Sequence, residues 1–263
     1  QWSVFGSVPT PLLQGNQIFQ TSGSSDSTVF DIYGFYMGDR LYSIEIEVLD
    51  SVGSLIEFTE ITFFVIGQTV TPTYSDLLVF GDSLSDMGNA RSALNVPDVP
   101  PYWQGRFSNG PVWVEHVSDR MGLSTSIGTG SSAGDNRAFG GSQTGAGNSY
   151  IVLPNVGTQI TAYFANVQTT VPSGSIVALW AGGNDFLYGS ANSNVIVTNM
   201  EAHIRQLSTA GATEFIIPNL PPLELTPEIL SRTQAQQSTI RSEVISYNQK
   251  LSNLVGNLSA ELN

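Results

Sequence analysis

Apolar residues follow two different patterns along this chain. Residues 1 to about 72 contain short stretches rich in β-branched and aromatic residues, separated by turn-forming clusters. Such stretches predict β-strands, and they lie at 29–36, 41–49, 54–58 and 61–66. The second of them alternates apolar and polar residues cleanly. We therefore expect a small all-β module over residues 1–72.

From Leu77 onward, short unbroken apolar runs alternate with stretches of helical periodicity. The runs predict strands that are buried on both faces of a sheet, and they lie at 77–80, 175–180 and 214–218. The helical patterns lie at about 112–121, 156–167, 195–209 and 240–262. Alternating strands and helices are typical of a parallel sheet. Residues 73–263 therefore predict an α/β domain with a parallel central sheet.

The first buried run ends abruptly in Gly81, Asp82 and Ser83. Gly81 allows a tight turn, and Ser85 or Asp86 can cap the helix that follows. Ser83 then lies at the carboxyl end of a strand and near a helix amino terminus, where developing negative charge is favoured. A serine there is a candidate nucleophile, although Ser and Asp also serve simply as turn and cap residues.

Two further stretches carry polar groups beside glycines. The run at 175–180 ends in Gly-Gly-Asn-Asp at 182–185, which places Asn184 to donate an N–H to an oxyanion. In the stretch 136–142, Gly140 and Gly141 let the backbone approach a ligand and present N–H groups. A dinucleotide loop is not expected in the surrounding glycine-rich region, because no clear strand precedes it.

Composition narrows the functional classes. The chain carries 22 acidic and 9 basic residues, a net charge of −13 that repels nucleic acid. With no cysteine and two histidines, we expect no metal site and no cofactor. Only 12% of residues are charged, which favours a secreted, extracellular protein, and no apolar run reaches the length of a membrane span. The initial Gln1 suggests a removed signal peptide or an artificial boundary.

Four blocks of the sequence resemble one known family. FGDSLSDMGN at 80–89 is close to the nucleophile block of GDSL-type esterases and lipases in the SGNH hydrolase superfamily. GRFSNGPVW at 105–113, NRAFGGS at 136–142 and GGND at 182–185 are similar to later blocks of the same family, in the same order. The resemblance implies a three-layer, flavodoxin-like α/β fold and the hydrolysis of small carboxylic-ester or lipid substrates.

The resemblance also implies roles for particular residues. Ser83 would be the nucleophile, and the oxyanion hole would consist of its own backbone N–H, the Gly141 N–H and the Asn184 amide. Arg137 stands where the family usually has an apolar or aromatic residue.

One part of the family pattern is missing. Serine needs a base to take its proton, and the family supplies it from an Asp-x-x-His loop that this sequence lacks. The two histidines, His116 and His203, both lie in predicted helices, where a lone histidine is usually a surface or packing residue. The resemblance thus implies either that the family's C-terminal part lies beyond this sequence or that the histidine comes from a separate segment.

Two alternatives to an ester hydrolase remain open. One is a catalytically inactive relative with a structural, assembly or binding role. The other is a carbohydrate-binding protein, suggested by Tyr102, Trp103 and Phe107. We also expect self-association through the β-module or through an exposed sheet edge at 214–218, which the strand at 41–49 would cover in one hypothesis.

Overall fold

The computed structural model describes most of the chain from residue 74 onward and four strands before it. The described residues are 2–7, 17–21, 40–49, 55–65, 74–128, 134–150, 152–189 and 192–262. The chain divides into two compact units, residues 1–70 and 71–263. Among the described residues, no helix is both long enough and apolar enough to cross a membrane.

The described part of the first unit is a four-stranded antiparallel sheet. Its strands are β1 (Trp2–Ser7), β2 (Gln17–Thr21), β3 (Arg40–Leu49) and β4 (Leu55–Val65), in the order β2-β1-β3-β4. The strand predicted at 41–49 is confirmed as β3. The two strands predicted at 54–58 and 61–66 are in fact one continuous strand, and the strand predicted at 29–36 lies outside the described residues.

Both edges of β3 are used within this sheet. One edge pairs with β1 and the other with β4, in registers that include Ser3 opposite Glu47 and Ser43 opposite Thr62. The hypothesis that residues 41–49 pair with the strand at 214–218 is therefore wrong, because β3 has no free backbone edge to offer.

The second unit alternates strands and helices. Its strands are β5 (Asp76–Gly81), β6 (Asn148–Ser149), β7 (Leu153–Pro154), β8 (Ser175–Trp180) and β9 (Glu214–Ile216). Its α-helices are α1 (Asn89–Leu94), α2 (Trp113–Arg120), α3 (Val156–Asn166), α4 (Gly183–Tyr188), α5 (Ser193–Thr209), α6 (Pro227–Leu230) and α7 (Gln234–Leu262). A 3₁₀ turn, Leu223–Leu225, precedes α6.

The central sheet is parallel, in the order β5-β8-β9. Alternate side chains of β5 enter different apolar clusters: Leu78 and Phe80 pack towards α3, α5 and α7, whereas Leu77 and Val79 pack towards α2. Because both faces of the sheet are covered, its strands are apolar after their first residues. The predicted α/β fold with helices on both faces of a parallel sheet is confirmed.

A fourth segment extends this sheet beyond β5. The Val79 N–H donates to the Asp135 carbonyl at 2.7 Å, and the Arg137 N–H donates to the Val79 carbonyl at 2.7 Å. Asn136 thereby forms a parallel bridge with Val79. Residues 135–139 thus run beside β5 in the same direction, although the sequence analysis predicted no strand there.

Three smaller differences concern the helices. Residues 183–188, for which the sequence analysis predicted no helix, form helix α4. In α2 the buried residues are Val114 and Ser118, while Met121, predicted on the apolar stripe, is exposed. In α7 the predicted stripe is confirmed except at its end, where Leu262 is exposed.

Candidate active site

Three parallel segments bring the candidate residues to one edge of the sheet. β5 and β8 are paired in register up to Gly81 and Trp180, and the Phe139 N–H donates to the Gly81 carbonyl at 3.1 Å. All three segments therefore end at the same edge. The residues that follow them are Ser83, Gly141 and Asn184, so the loops that carry the three predicted site residues leave the sheet side by side.

Gly81 allows the backbone of β5 to lie close to the Trp180 carbonyl of β8 at this edge. A Cβ at residue 81 would lie 2.3 Å from the Trp180 carbonyl oxygen, which is far inside any normal contact. The glycine is needed because β5 and β8 converge here, a more specific reason than the tight turn expected from the sequence.

The turn that carries Ser83 is built around two buried carboxyl groups. Asp82 accepts a hydrogen bond from the Leu84 N–H at 3.0 Å, and its own carbonyl accepts one from the Ser85 N–H at 3.1 Å. Ser83 itself is half-buried. A turn closed on both sides of residue 83 limits the positions that this hydroxyl can take.

Asp86 joins the serine turn to the glycine loop. Its carboxyl accepts hydrogen bonds from Gly88, Asn89 and Ala90 at the start of α1, as a helix cap does. It also accepts one from the Gly140 N–H at 2.8 Å. The sequence predicted Ser85 or Asp86 as the cap. The N-cap position is Gly88, and Asp86, two residues before it, supplies the carboxyl that binds the first N–H groups of the helix and also fixes the backbone next to Gly141.

Asn184 is hydrogen-bonded to Ser142, the residue that follows Gly141 in the sequence. The Asn184 side-chain amide donates to the Ser142 carbonyl at 2.9 Å. An amide NH₂ group has two donors, so this bond orients the side chain with one N–H and leaves a second donor. Gly141 has a φ of +81°, a conformation that favours glycine.

Asp82 lies against the Asn184 loop. Its Oδ2 would be 3.8 Å from a Cβ placed on Gly183. Burial raises the pKa of Asp82 to about 7; the Leu84 N–H lowers it, and the nearby Asp185 and Asp86 carboxylates raise it. Burial also raises the pKa of both Asp86 and Asp185. The edge of the sheet therefore holds three acidic groups in a setting that penalises their charge.

One amide side chain connects all of these parts. Gln159, on α3, accepts from the Gly81 N–H at 3.0 Å and donates to the Gly81 carbonyl at 2.9 Å. The same NH₂ group also lies 3.0 Å from the Ser142 Oγ and 2.9 Å from the Pro154 carbonyl, so its two N–H bonds are shared among three acceptors. The sequence analysis missed Gln159. The available signal was a polar residue within the apolar stripe of α3, between Val156 and Ile160.

The histidines are not placed to act on Ser83. His203 is buried, and its Nε2 lies 2.7 Å from the Thr144 carbonyl, so it donates there. Burial lowers the pKa of His203, which favours the neutral ring. Thr144 in turn donates to Asp185 from its N–H and its hydroxyl. His116 is exposed on α2, and within the described parts of the chain neither ring bonds to Ser83.

Two other predicted residues have structural contacts. The Arg137 guanidinium is buried and lies 5.6 Å from the centre of the Tyr163 ring, which explains how a cation occupies a position that is usually apolar.

Arg106 lies 5.0 Å from the centre of the Trp103 ring and pairs with Glu115 at 2.6 Å. One face of Trp103 is thus covered, which does not favour a sugar-stacking role for that face.

The fold and the site define the class to which this chain belongs: an α/β protein with a polar site at the carboxyl edge of a parallel sheet. The model of the GDSL-like lipase/acylhydrolase family matches residues 77–263. The chain belongs to this family, as its sequence blocks predicted.

Individual proteins that are similar to this chain support its assignment to the GDSL-like family. The chain is 32% identical over 202 residues to a phosphatidylcholine-sterol acyltransferase of Aeromonas hydrophila, covering 72% of this chain and 56% of that protein. It is 31% identical over 180 residues to a thermolabile hemolysin of Vibrio parahaemolyticus, covering 66% and 40%. A GDSL esterase/lipase of Arabidopsis thaliana is 28% identical over 220 residues, covering 70% and 60%. The chain thus spans about half the length of these relatives.

Proposed function

We propose that this protein cleaves carboxylic esters through an acyl-enzyme formed on Ser83. The Ser83 oxygen attacks the ester carbonyl, and the alcohol leaves with the proton that the hydroxyl gives up. Water then attacks the acyl group, releases the carboxylic acid and restores the serine. The Ser83 and Gly141 N–H groups and the Asn184 amide stabilise the negative oxygen of each tetrahedral intermediate.

The observation that carries this proposal is the convergence of three parallel segments at one sheet edge. Hydrogen bonds through Asp86, Gln159 and the Ser142 carbonyl join the three loops that follow. Oxyanion stabilisation depends on donors that are oriented before the reaction begins. A loop network of this kind provides that orientation.

The reaction also needs a proton acceptor, and neither histidine of this sequence is placed to serve Ser83. The proposal therefore includes an imidazole from elsewhere, either from a separate segment of protein or from solution. The competing proposal, a catalytically inactive scaffold with a binding or structural role, is favoured by the same observation. The two proposals differ in whether Ser83 reacts at all.

Covalent capture of Ser83 separates them. A fluorophosphonate probe, added in buffer that contains imidazole as the proton acceptor, is expected to label the protein at Ser83, because its phosphorus resembles the tetrahedral intermediate that the donors stabilise. Mass spectrometry of the digested protein would locate the label. Ser83→Ala is expected to lose it, whereas Ser92→Ala, which removes an exposed hydroxyl from α1, is expected to keep it. An unlabelled wild-type protein would support the inactive scaffold.

Asn184→Ala tests the oxyanion hole. Loss of one such donor costs about 10²- to 10³-fold in rate, and we expect the rate of Ser83 labelling to fall by that factor. Asn194→Ala, at an exposed position of α5, is the matched control and should label at the wild-type rate. Equal labelling rates for the two variants would remove Asn184 from the mechanism.

We also propose that the protein is secreted. The low charged fraction of 12% supports this, as does a relative named as a secreted effector protein in Salmonella typhimurium, 26% identical over 177 residues. Culture fractionation with an antibody against the chain would test it, and protein found only inside cells would contradict it.

A further inference from the structure

Gly140 and Gly141, which lie in the loop that follows residues 135–139, are each covered by an aromatic ring. A Cβ at Gly140 would lie 2.1 Å from Cε2 of Phe107, and a Cβ at Gly141 would lie 2.6 Å from Cε2 of Tyr150. The rings therefore rest directly on the backbone of residues 140 and 141. Tyr102 continues the row, since its ring centre lies 6.1 Å from that of Phe107.

Tyr150 lies over Gly141 on a hairpin whose base is hydrogen-bonded to the glycine loop and to α3. It stands at the tip of the β6–β7 hairpin, where its φ is +45°, a conformation that is uncommon for residues other than glycine. The base of this hairpin is anchored at Pro154, whose carbonyl accepts hydrogen bonds from the Ser142 hydroxyl and from Gln159. An unusual conformation kept by such anchoring suggests a functional reason for it.

Most of the Tyr150 surface faces solvent despite this fixed position. The residue is 62% exposed, and Val152 on the same hairpin tip is 49% exposed. Tyr188, on the helix that carries Asn184, is also exposed at 56%. Burial raises the pKa of Tyr188, and the Tyr150 phenol raises it further. An exposed aromatic side chain therefore lies close to each of the two proposed oxyanion donors in the chain, Tyr150 after Gly141 and Tyr188 after Asn184.

We propose that Tyr150 determines specificity by forming an aromatic wall for the acyl chain of the ester. The inference rests on the proposed function, because the ester carbonyl must lie at the Gly141 N–H. Carbon atoms attached to that carbonyl then extend over the ring that covers residue 141. Short acyl groups end before they cover the ring, whereas longer saturated chains bury it and gain apolar contact. The site consequently prefers medium and long acyl chains over acetyl groups.

Binding of ketones tests this wall without requiring turnover. Methyl ketones are uncharged and keep a carbonyl beside an alkyl chain, so 2-butanone and 2-decanone serve as short and long probes in calorimetric titrations of the full chain. Tyr150→Ala is expected to weaken 2-decanone binding by about tenfold and 2-butanone binding by less than about twofold. Tyr150→Phe keeps the ring and should bind both probes as the wild type does.

The control is Val152→Ala, which truncates an exposed side chain on the same hairpin tip. We expect it to bind both ketones within about twofold of the wild type. Equal losses for Tyr150→Ala and Val152→Ala, or a loss that does not grow with chain length, would overturn the inference. Capture of Ser83 reports on the proposed chemistry separately, so ketone binding that depends on Tyr150 without capture would reject the ester reaction and not the wall.

Discussion

Ser83→Ala is expected to abolish the part of ester hydrolysis that depends on an acyl-enzyme. In serine hydrolases that have their proton acceptor, removing the nucleophile costs on the order of a million-fold in rate. Imidazole added to the buffer can supply a proton acceptor when the hydroxyl and the oxyanion donors are in place. We therefore expect hydrolysis of p-nitrophenyl butyrate by the wild-type chain to rise with imidazole concentration, beyond the contribution of imidazole itself.

The Ser83→Ala variant provides the background for this measurement, because imidazole alone also cleaves activated esters. Its rate with imidazole should match that of buffer containing imidazole and no protein. Ser92→Ala should retain the full response of the wild type. If the wild type and Ser83→Ala hydrolyse the ester at the same rate over the whole imidazole range, Ser83 is not the nucleophile.

Asp82→Asn is expected to stabilise the folded protein above neutral pH. Asp82 is only 2% exposed, and its pKa is raised by burial to about 7 from an ordinary value of 3.8. The folded state therefore favours the protonated carboxyl, and ionisation destabilises it progressively as the pH rises from about 4 through 7. Asparagine carries no charge and keeps an oxygen that can accept from the Leu84 N–H.

The linkage relation gives the size of this effect. A shift of about three pKa units corresponds to about 4 kcal/mol in the free energy of unfolding. Ionisation of Asp82 should cost the wild type only about 1 kcal/mol at pH 4.5 in urea unfolding, and at pH 8 the variant should be more stable by up to about the full 4 kcal/mol. Asp119→Asn, which removes an exposed charge from α2, controls for the change in net charge. A stability difference that does not depend on pH would contradict the assignment of a raised pKa to Asp82.

The parts of the fold that were predicted correctly are those where the burial of apolar side chains alone determines the sequence pattern. Strands β5 and β8 are covered on both faces, so their sequences are unbroken apolar runs that periodicity identifies directly. The apolar stripe of α7 was visible for the same reason. Strand β4 was split in the prediction because Thr59 and Glu60 interrupt its apolar residues, although both stand in the continuous ladder with β3.

The segment at 135–139 escaped prediction because its polar side chains are satisfied inside the protein. Asn136 is fully buried, and its side-chain amide donates to the Ser85 carbonyl at 2.7 Å while the Ala138 N–H donates to its oxygen at 3.1 Å. A sequence pattern treats such a residue as a loop residue, since its partners are distant in the chain. Helix α4 was missed because it is only six residues long and begins at a glycine.

The site residues themselves came from short motifs and from a resemblance, and Ser83, Gly141 and Asn184 remain predictions for mutagenesis to test. What the motifs did not contain is the support around them. Gln159 and Tyr150 lie outside every motif, and their importance depends on contacts with residues far away in the sequence. Such contacts become visible only in three dimensions.

The bonds made by Gln159 have a practical consequence for protein engineering. The Gln159 side-chain amide hydrogen-bonds to the end of β5, to the Ser142 hydroxyl and to the Pro154 carbonyl. If the three motif loops were transferred to another scaffold without Gln159, they would lose these shared hydrogen bonds. The smallest fragment that could be transferred with its site intact therefore includes helix α3, which carries Gln159. In a fragment without α3, we expect the loops to shift relative to one another while each loop keeps its own conformation.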